Sequence, residues 1–527
     1  INTYVYDAVL WCWDNDKTPN GFPKRNYVED IEYPEDYDSL SDGDKKGWRI
    51  QSRGIRDINR KIDSNRSCMF QDLTTAKEMS EFECFYIPHN FDFRGRVYPV
   101  SVFNHHREDH IRSMFYLHRA KPVDQDALQW IAFACANAGD FDKISKKPMA
   151  ERIQWVEDNQ DWILEVGRDF ESTYDKWKDA DKPFAFLAAC RELYRYTTEE
   201  DFVSGLPIGL DGSNSGVQHF AALGLSETDG QLVNLIPSDR PQDIYQTVAD
   251  RVVEKLQQST HEQADEWIKF GIGRKLVKRN VMTFGYSATK FGFKDQILED
   301  TLVPLQEEVY LGKLPVYPFE DKARAATVLA EANWDAVNEV VIGAREGMNF
   351  FRELAGMLAH RGKFCSWYTP VGFPVVNYYR PFKPKKLKVY LFDREAAKPL
   401  RSNVTLSVIN QQRIDKKKAK SSISPNIIHS LDSSHLMSTV LEGLQNDIRD
   451  YMLIHDSFAT VPADTWKLFH AVRKTFVEQY ENTCLYTQIL EDSTRVLGKD
   501  HKVELPKIPR KGNLDLQGVK DSMYCFS

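Results

Sequence analysis

The chain has 527 residues and a mass of 61.0 kDa, enough for several subdomains at ~100–200 residues per domain. Apolar residues make up 42% and charged residues 28%, which supplies sizeable cores and excludes a disordered or collagen-like chain. Lys and Arg number 69 against 77 Asp and Glu, a net charge of −8, so any basic surface is local rather than global.

In chain order, residues 1–80 are polar and helix-compatible, interrupted by an acidic, turn-rich stretch from Glu29 to Asp44 that reads as a surface loop. Residues 85–210 mix a short strand-like piece, Arg96-Val97-Tyr98-Pro99-Val100, with amphipathic stretches such as Ala127 to Ala138. Two helical patterns lie between Pro241 and Asp300, the second from Ala264 to Tyr286, and helical patterning resumes from Ala325 to Leu358. From Lys383 to Lys420 the period changes. Leu387, Val389 and Leu391 alternate with Lys388, Tyr390 and Phe392, then Val404, Leu406 and Val408 with Thr405 and Ser407, which predicts a long β-hairpin. Lys383, Lys385, Lys386 and Lys388 crowd its start and Lys416, Lys417, Lys418 and Lys420 follow its end. Such lysines make either a solvated face or the base of a ribbon that grips phosphates and enters a DNA groove.

No run approaches the ~18 apolar residues of a membrane span, so a soluble protein is expected. The eight cysteines form no C-x-x-C pair and are expected to be reduced and buried, as in the cytoplasm. The chain opens on Ile1 without a signal-peptide pattern, and a fragment that has lost an N-terminal part is expected.

Three segments concentrate chemistry. Leu206, Ile208 and Leu210 alternate into Asp211-Gly212-Ser213-Asn214-Ser215-Gly216, which places Asp211 at a strand end beside glycines that admit close backbone approach. This is either an ordinary Asp-Gly turn or a Mg²⁺ site in which a carboxylate and a neighbouring carbonyl are ligands. Two apolar runs flank His455-Asp456-Ser457, the pattern of a hairpin with a carboxylate at its tip; a solvated turn is the plain alternative. Two carboxylates meeting on one sheet would raise each other's pKa unless a metal neutralised them, and together would clamp two ions ~3.5–4 Å apart for phosphoryl transfer. Finally, Arg274 and Lys278 share one helical face, with Tyr286 two turns further on. Unpaired cations on one face suit a triphosphate; a basic surface helix is the other reading.

These segments resemble the single-subunit, bacteriophage-type DNA-dependent RNA polymerases. Asp211-Gly212-Ser213 with Gly216 and Gln218-His219-Phe220 resembles the family's first palm motif, and His455-Asp456-Ser457-Phe458 its second. The run Arg274, Lys278-Arg279, Met282-Thr283, Gly285-Tyr286 resembles its fingers helix. Asp92-Phe93-Arg94-Gly95-Arg96-Val97-Tyr98 resembles its D-x-x-G-R template-contacting segment. Pro425-Asn426-Ile427-Ile428-His429-Ser430 with Asp432, and Gln242-Asp243-Ile244-Tyr245, are similar to two further segments, all in the family's order.

The resemblance implies an α+β, mostly helical right-hand fold related to DNA polymerase I, with an antiparallel palm sheet. Residues 1–82 would be thumb and linking helices, 83–227 and 430–527 palm, and 228–429 fingers, with a promoter-specificity hairpin at 379–413. Met523 to Ser527 would stand in the place of the family's C-terminal foot, and a counterpart of the family's N-terminal domain is expected to be missing from this sequence. The implied activity is transfer of nucleotides from ribonucleoside triphosphates to an RNA 3′-OH on a DNA template, in a monomer acting in the cytoplasm of an infected host. Asp211 and Asp456 would hold two Mg²⁺ ions with the Gly212 carbonyl, and Lys278 would stabilise the reacting phosphate. Arg274 and Lys143 would bind the outer phosphates and Tyr245, Tyr286 and His429 the nucleotide. Arg94, Arg96, Arg279 and His455 would contact template or primer, with a strand-edge salt bridge to Asp92 the other reading of the first two and packing beside the hairpin that of His455; Lys388, Arg394 and Arg401 would face promoter bases. Where related DNA polymerases carry a Glu that obstructs a 2′-OH, this chain has Gly216. The alternatives are a family A-like DNA polymerase or reverse transcriptase, and an inactive nucleic-acid-binding module derived from a polymerase.

Overall fold

The computed structural model of the protein describes residues 1–393, 398–498 and 502–527. Helix α1 (Thr3–Asp14) is capped by the Asn2 side chain and buries Val5, Ala8, Val9 and Cys12, one apolar stripe at helical spacing. Helix α2 (Asp42–Ser80) starts where the Ser41 hydroxyl accepts from Asp44 N, so the last three residues of the expected acidic loop are already helical. Its 39 residues span ~58 Å. Ile55, Ile58 and Ile62 of α2 form a small separate core with Val28, Ile31, Tyr310 and Leu311, away from the main one.

Strands β1 (His89–Phe91) and β2 (Val97–Pro99) pair antiparallel, in agreement with the strand expected at 96–100. Helices α3 (Gln125–Gly139) and α4 (Pro183–Thr198) follow, then β3 (Ile208–Asp211) and α5 (Ser215–Gly224). Next come α6 (Ile244–Gln257), α7 (Glu262–Phe270) and α8 (Arg274–Phe284). The single pattern expected from Ala264 to Tyr286 is thus two helices. Gly271, at φ +92, turns the chain between them, and Tyr286 falls in the turn after α8. Likewise the stretch from Ala325 to Leu358 divides into α9 (Lys322–Val340) and α10 (Ile342–His360), because Val341 leaves the helical region while the apolar period continues on both sides.

Strands β4 (Phe382–Asp393) and β5 (Lys398–Ile409) form the expected hairpin and pair only with each other. Of its apolar alternation, Leu387 and Val389 are half-buried while Val404, Leu406 and Val408 remain exposed, and no other strand pairs with it. Residues 394–397, with Arg394 among them, lie outside the described residues. Helix α11 (Lys416–Gln445) runs unbroken through Pro425, so the expected boundary at 429/430 falls inside one helix. Strands β6 (Met452–Ile454) and β7 (Ser457–Thr460) and helix α12 (Thr465–Asn482) follow.

The result is a mostly helical α+β chain with small antiparallel sheets. The central sheet has the order β6-β7-β3, and Ile208, Leu210 and Phe458 point from it into the main core. All eight cysteines are free; Cys68 and Cys84 are exposed rather than buried, and Cys484 is half-buried. Among the described residues no helix is long and apolar enough to cross a membrane.

Candidate active site

The ladder brings the two predicted carboxylates together. Asp211, the last residue of β3, lies opposite Ser457, and Asp456 precedes Ser457 in the two-residue turn between β6 and β7. Facing Cα atoms in such a ladder are ~5 Å apart and successive ones ~3.8 Å, so the two aspartate Cα atoms are at most ~9 Å apart. Gly212 N donates to Asp456 O at 3.2 Å, and a Cβ on Gly212 would stand 3.1 Å from Gln218 Oε1 and 3.6 Å from Asp456 Oδ2. On the other side the C-terminal segment closes the seam. Ser213 N donates to Cys525 O at 3.2 Å, Ser527 N donates to Asp211 O at 3.0 Å, and Gly212 bridges Phe526. Buried Arg473 of α12 holds that segment through the carbonyls of Ser522, Met523 and Phe526 at 2.8–3.0 Å.

Asp211 touches water at the floor of a cavity of about 860 Å³ but is ringed by protein. Desolvation, and after it the charge of Asp456, push its carboxyl up to about 7; Lys182, Arg112 and Lys278 pull the other way. Asp456 is also raised, by burial, against the opposing effects of Arg96 and the Ser215 hydroxyl.

Arg274 and Lys278 reach the same cavity from one face of α8. They are not both unpaired, as the sequence suggested. Arg274 Nε donates to Asp243 Oδ2 at 2.7 Å and its guanidinium lies 5.2 Å from the Tyr245 ring centre. The other oxygen of Asp243 caps α6 through Tyr245 N and Gln246 N, so one carboxylate fixes both the helix start and the arginine. Lys278 is exposed to the cavity and has no ion pair or hydrogen bond among the described residues.

The Asp92-to-Arg96 turn has a structural logic of its own. Asp92 Oδ1 accepts from Arg94 N at 2.8 Å and Arg96 N at 3.1 Å, and Gly95, at φ +90, leaves only 3.0 Å between a would-be Cβ and Ser433 Oγ of α11. Both arginines, expected at template phosphates or in a strand-edge salt bridge with Asp92, are turned inward onto carboxylates. Arg94 bonds Asp92, and Arg96 Nε lies 3.1 and 3.2 Å from the two oxygens of buried Asp432. Arg94 also meets His429 Nδ1 at 2.5 Å. A guanidinium only donates, so Nδ1 accepts and His429 carries its proton on Nε2. Burial first, then Arg96 and Arg94, push the His429 pKa down to about 2, which keeps it neutral.

The His429 ring is 4.7 Å from that of Tyr286, whose hydroxyl lies 3.4 Å from Ser215 Oγ. Gly216 does leave room, and Tyr286 occupies it: a Cβ there would touch the tyrosine ring at 3.5 Å. His455, at φ +54, packs its ring 4.8 Å from Tyr98 and 5.2 Å from His106, and its Nδ1 is buried with no partner among the described residues.

Other predicted residues lie elsewhere. Arg279 bonds Glu299 at 2.8 Å and Asp300 at 2.5 Å and does not line the cavity. Lys143, at φ +58 in a tight turn, also stays out, and Lys146 lines the cavity in its place. Burial first, then Arg274, lowers the Lys146 pKa. Lys388 and Arg401 are exposed on the hairpin, with Arg401 5.9 Å from the Tyr390 ring centre. Lys146, Lys182, Arg112 and Arg152 line the cavity and escaped the sequence reading. The lysine run 143–147 signalled the first, but only the turn decides which lysine points inward; the other three carry no local signal.

Two crowded carboxylates, with the carbonyl of Gly212 next in the chain to one of them, supply hard oxygen donors that fit a divalent cation. Gly212 O accepts from Asn214 N at 3.0 Å, which leaves it one lone pair. With a free lysine and a held arginine across the cavity, the arrangement can perform metal-assisted phosphoryl transfer. Comparison with known sequences gives the class its family. A family model described as DNA-dependent RNA polymerase matches residues 121–501, well over half the chain, and the chain belongs to that family. The DNA-directed RNA polymerase of Enterobacteria phage T3 is 33% identical over 536 residues and T7 RNA polymerase of Escherichia phage T7 is 32% identical over the same length. Both alignments cover 94% of this chain and 59% of the relative. DNA-directed RNA polymerase 2, chloroplastic/mitochondrial, of Arabidopsis thaliana is 31% identical across 100% of this chain and 50% of its own length. The chain therefore spans about 59% of the length of the phage proteins it resembles.

Proposed function

We propose that this chain carries the catalytic part of a single-subunit RNA polymerase, transferring ribonucleotides to an RNA 3′-OH on a DNA template and releasing pyrophosphate. The observation that carries the reading is the convergence of Asp211, Asp456 and Lys278, from three distant stretches of a chain in this family, on one cavity. In this reading the right hand has a palm around the β6-β7-β3 sheet (83–227 and 430–527), fingers at 228–429 and a thumb built on α2.

Asp211 and Asp456 would hold two Mg²⁺ ions, with the remaining lone pair of Gly212 O as a further ligand; bound there, the ions supply Lewis-acid stabilisation of the charge that grows during transfer. Lys278 faces the reacting phosphate and donates a proton toward the leaving pyrophosphate. Arg274, immobilised by Asp243 and Tyr245, binds the outer phosphates, with Lys146 nearer to hand than Lys143. Tyr286 over Gly216, backed by neutral His429, reads the ribose. Arg94 and Arg96 act as positioning residues: one fixes the His429 tautomer, the other ties the 92–96 turn to α11. The hairpin, with Lys388 and Arg401, faces promoter DNA, and the protein works as a monomer in the cytoplasm.

The test is extension of an RNA primer on a DNA template with ribonucleotides and Mg²⁺, which bypasses promoter opening. Pyrophosphate release with wild-type protein and its loss in Asp456→Asn, with folding and template binding retained, are expected. Extension by Asp456→Asn at a substantial fraction of the wild-type rate would refute the assignment, and equal use of deoxynucleotides would favour a DNA polymerase.

A further inference from the structure

Outside the cavity, metal-binding chemistry concentrates in histidine. His89 opens β1, and His105 and His106 follow β2 in the next loop. Among the described residues they are the one group of three His, Cys, Asp or Glu side chains that converges, one ligand atom from each lying within 4.8 Å of the others. Ring centres are 5.5 Å apart for His89 and His105 and 4.8 Å for His105 and His106.

Each ring has one nitrogen already assigned. His105 Nε2 and His106 Nε2 both lie 3.0 Å from Leu453 O, and His89 Nδ1 lies 2.8 Å from Ile87 O. A carbonyl oxygen only accepts, so these nitrogens carry the protons, and Nδ1 of His105 and His106 and Nε2 of His89 are left with bare lone pairs. An imidazole anchored through N–H···O=C and presenting its other nitrogen is the form that ligates transition metals. The donor set is all nitrogen, which suits a borderline-soft ion and not Mg²⁺.

We propose that His89, His105 and His106 form a second metal site, for a divalent transition ion of the zinc type, with water in the fourth position. Tetrahedral Zn–N bonds of ~2.0–2.1 Å place ligand nitrogens ~3.3 Å apart, closer than the 4.8 Å within which the three rings bring one nitrogen each, so binding requires the rings to turn and draw together. His89 is exposed and His105 buried, so His89, pivoting about its bond to Ile87 O, makes most of that movement. Leu453, whose carbonyl anchors two of the rings, belongs to β6, one arm of the hairpin that carries Asp456. Occupancy therefore ties the β1–β2 region and its following loop to the catalytic hairpin.

The test uses metal alone. Protein freed of metal with EDTA is titrated with Co²⁺ in excess Mg²⁺ and read by visible d–d absorption, then with Zn²⁺ by calorimetry. One tight site is expected in wild type and equally in Asp456→Asn, with affinity about 10-fold or more weaker in His89→Ala and in His106→Gln. Replacing exposed His118 with Ala leaves the affinity unchanged, and Zn²⁺ raises the melting temperature of wild type but not of His89→Ala. Absence of a Co²⁺ band and of Zn²⁺ heat in wild type, or binding of wild-type strength in both histidine variants, would overturn the proposal.

Discussion

Replacing Tyr286 with Phe removes one oxygen from the cavity and little else. Its hydroxyl lies 3.4 Å from Ser215 Oγ, beyond the ~2.5–3.0 Å of a good O–H···O bond, so its loss costs less than the ~0.5–1.5 kcal/mol of an ordinary hydrogen bond. The ring keeps its place over Gly216 and against His429. Stability should thus be nearly unchanged, while the hydroxyl's contribution to reading a 2′-OH, ~1–1.5 kcal/mol, disappears. That is about 5- to 12-fold in the ratio of kcat/KM for a ribonucleotide over its deoxy analogue. Single-nucleotide primer extension with each substrate measures the ratio, and a melting curve checks the fold. An unchanged ratio with an intact fold would refute the placement of Tyr286 at the ribose; Ser215→Ala should leave the ratio near wild type.

Other consequences can be read off by simple assays. An Asp211 whose carboxyl rises from 3.8 to about 7 on folding binds more protons when folded, so its contribution to stability falls as pH rises between those values. Mg²⁺ should accordingly raise the melting temperature more at about pH 8 than at about pH 5, and metal-free Asp456→Asn should melt above wild type at about pH 8. Equal Mg²⁺ shifts at both pH values would count against crowded carboxylates. Asp243→Asn should keep the α6 cap but weaken the hold on Arg274, raising KM for nucleotides several-fold with little change in kcat; steady-state kinetics would expose a fall in kcat instead. Arg473→Met should release the C-terminal segment from the Asp211–Gly212 seam and cost ~3 kcal/mol or more in urea unfolding, and a cost below ~1 kcal/mol would show that the seam holds without it.

Much of this protein is legible in its sequence. Period-two alternation ending in Asp211, two apolar runs around His455-Asp456, and the spacing of Arg274 and Lys278 are short-range signals, and short-range rules of strand, turn and helix suffice to read them. The same rules overran at Gly271 and Val341, where the apolar period continues although the backbone turns. What the tertiary structure alone decided is partnership. Arg96 finds Asp432 across 336 positions, Arg94 finds His429, and Arg274 finds Asp243, so arginines that look like open phosphate hooks in the sequence are largely held by carboxylates. Lys146 displaces Lys143, and three histidines from one strand and a later loop converge, through packing of segments that carry no mark of one another. Local sequence sets backbone conformation through sterics and burial period, but which charged tips meet depends on how helices and strands stack, and that is a property of the assembled core.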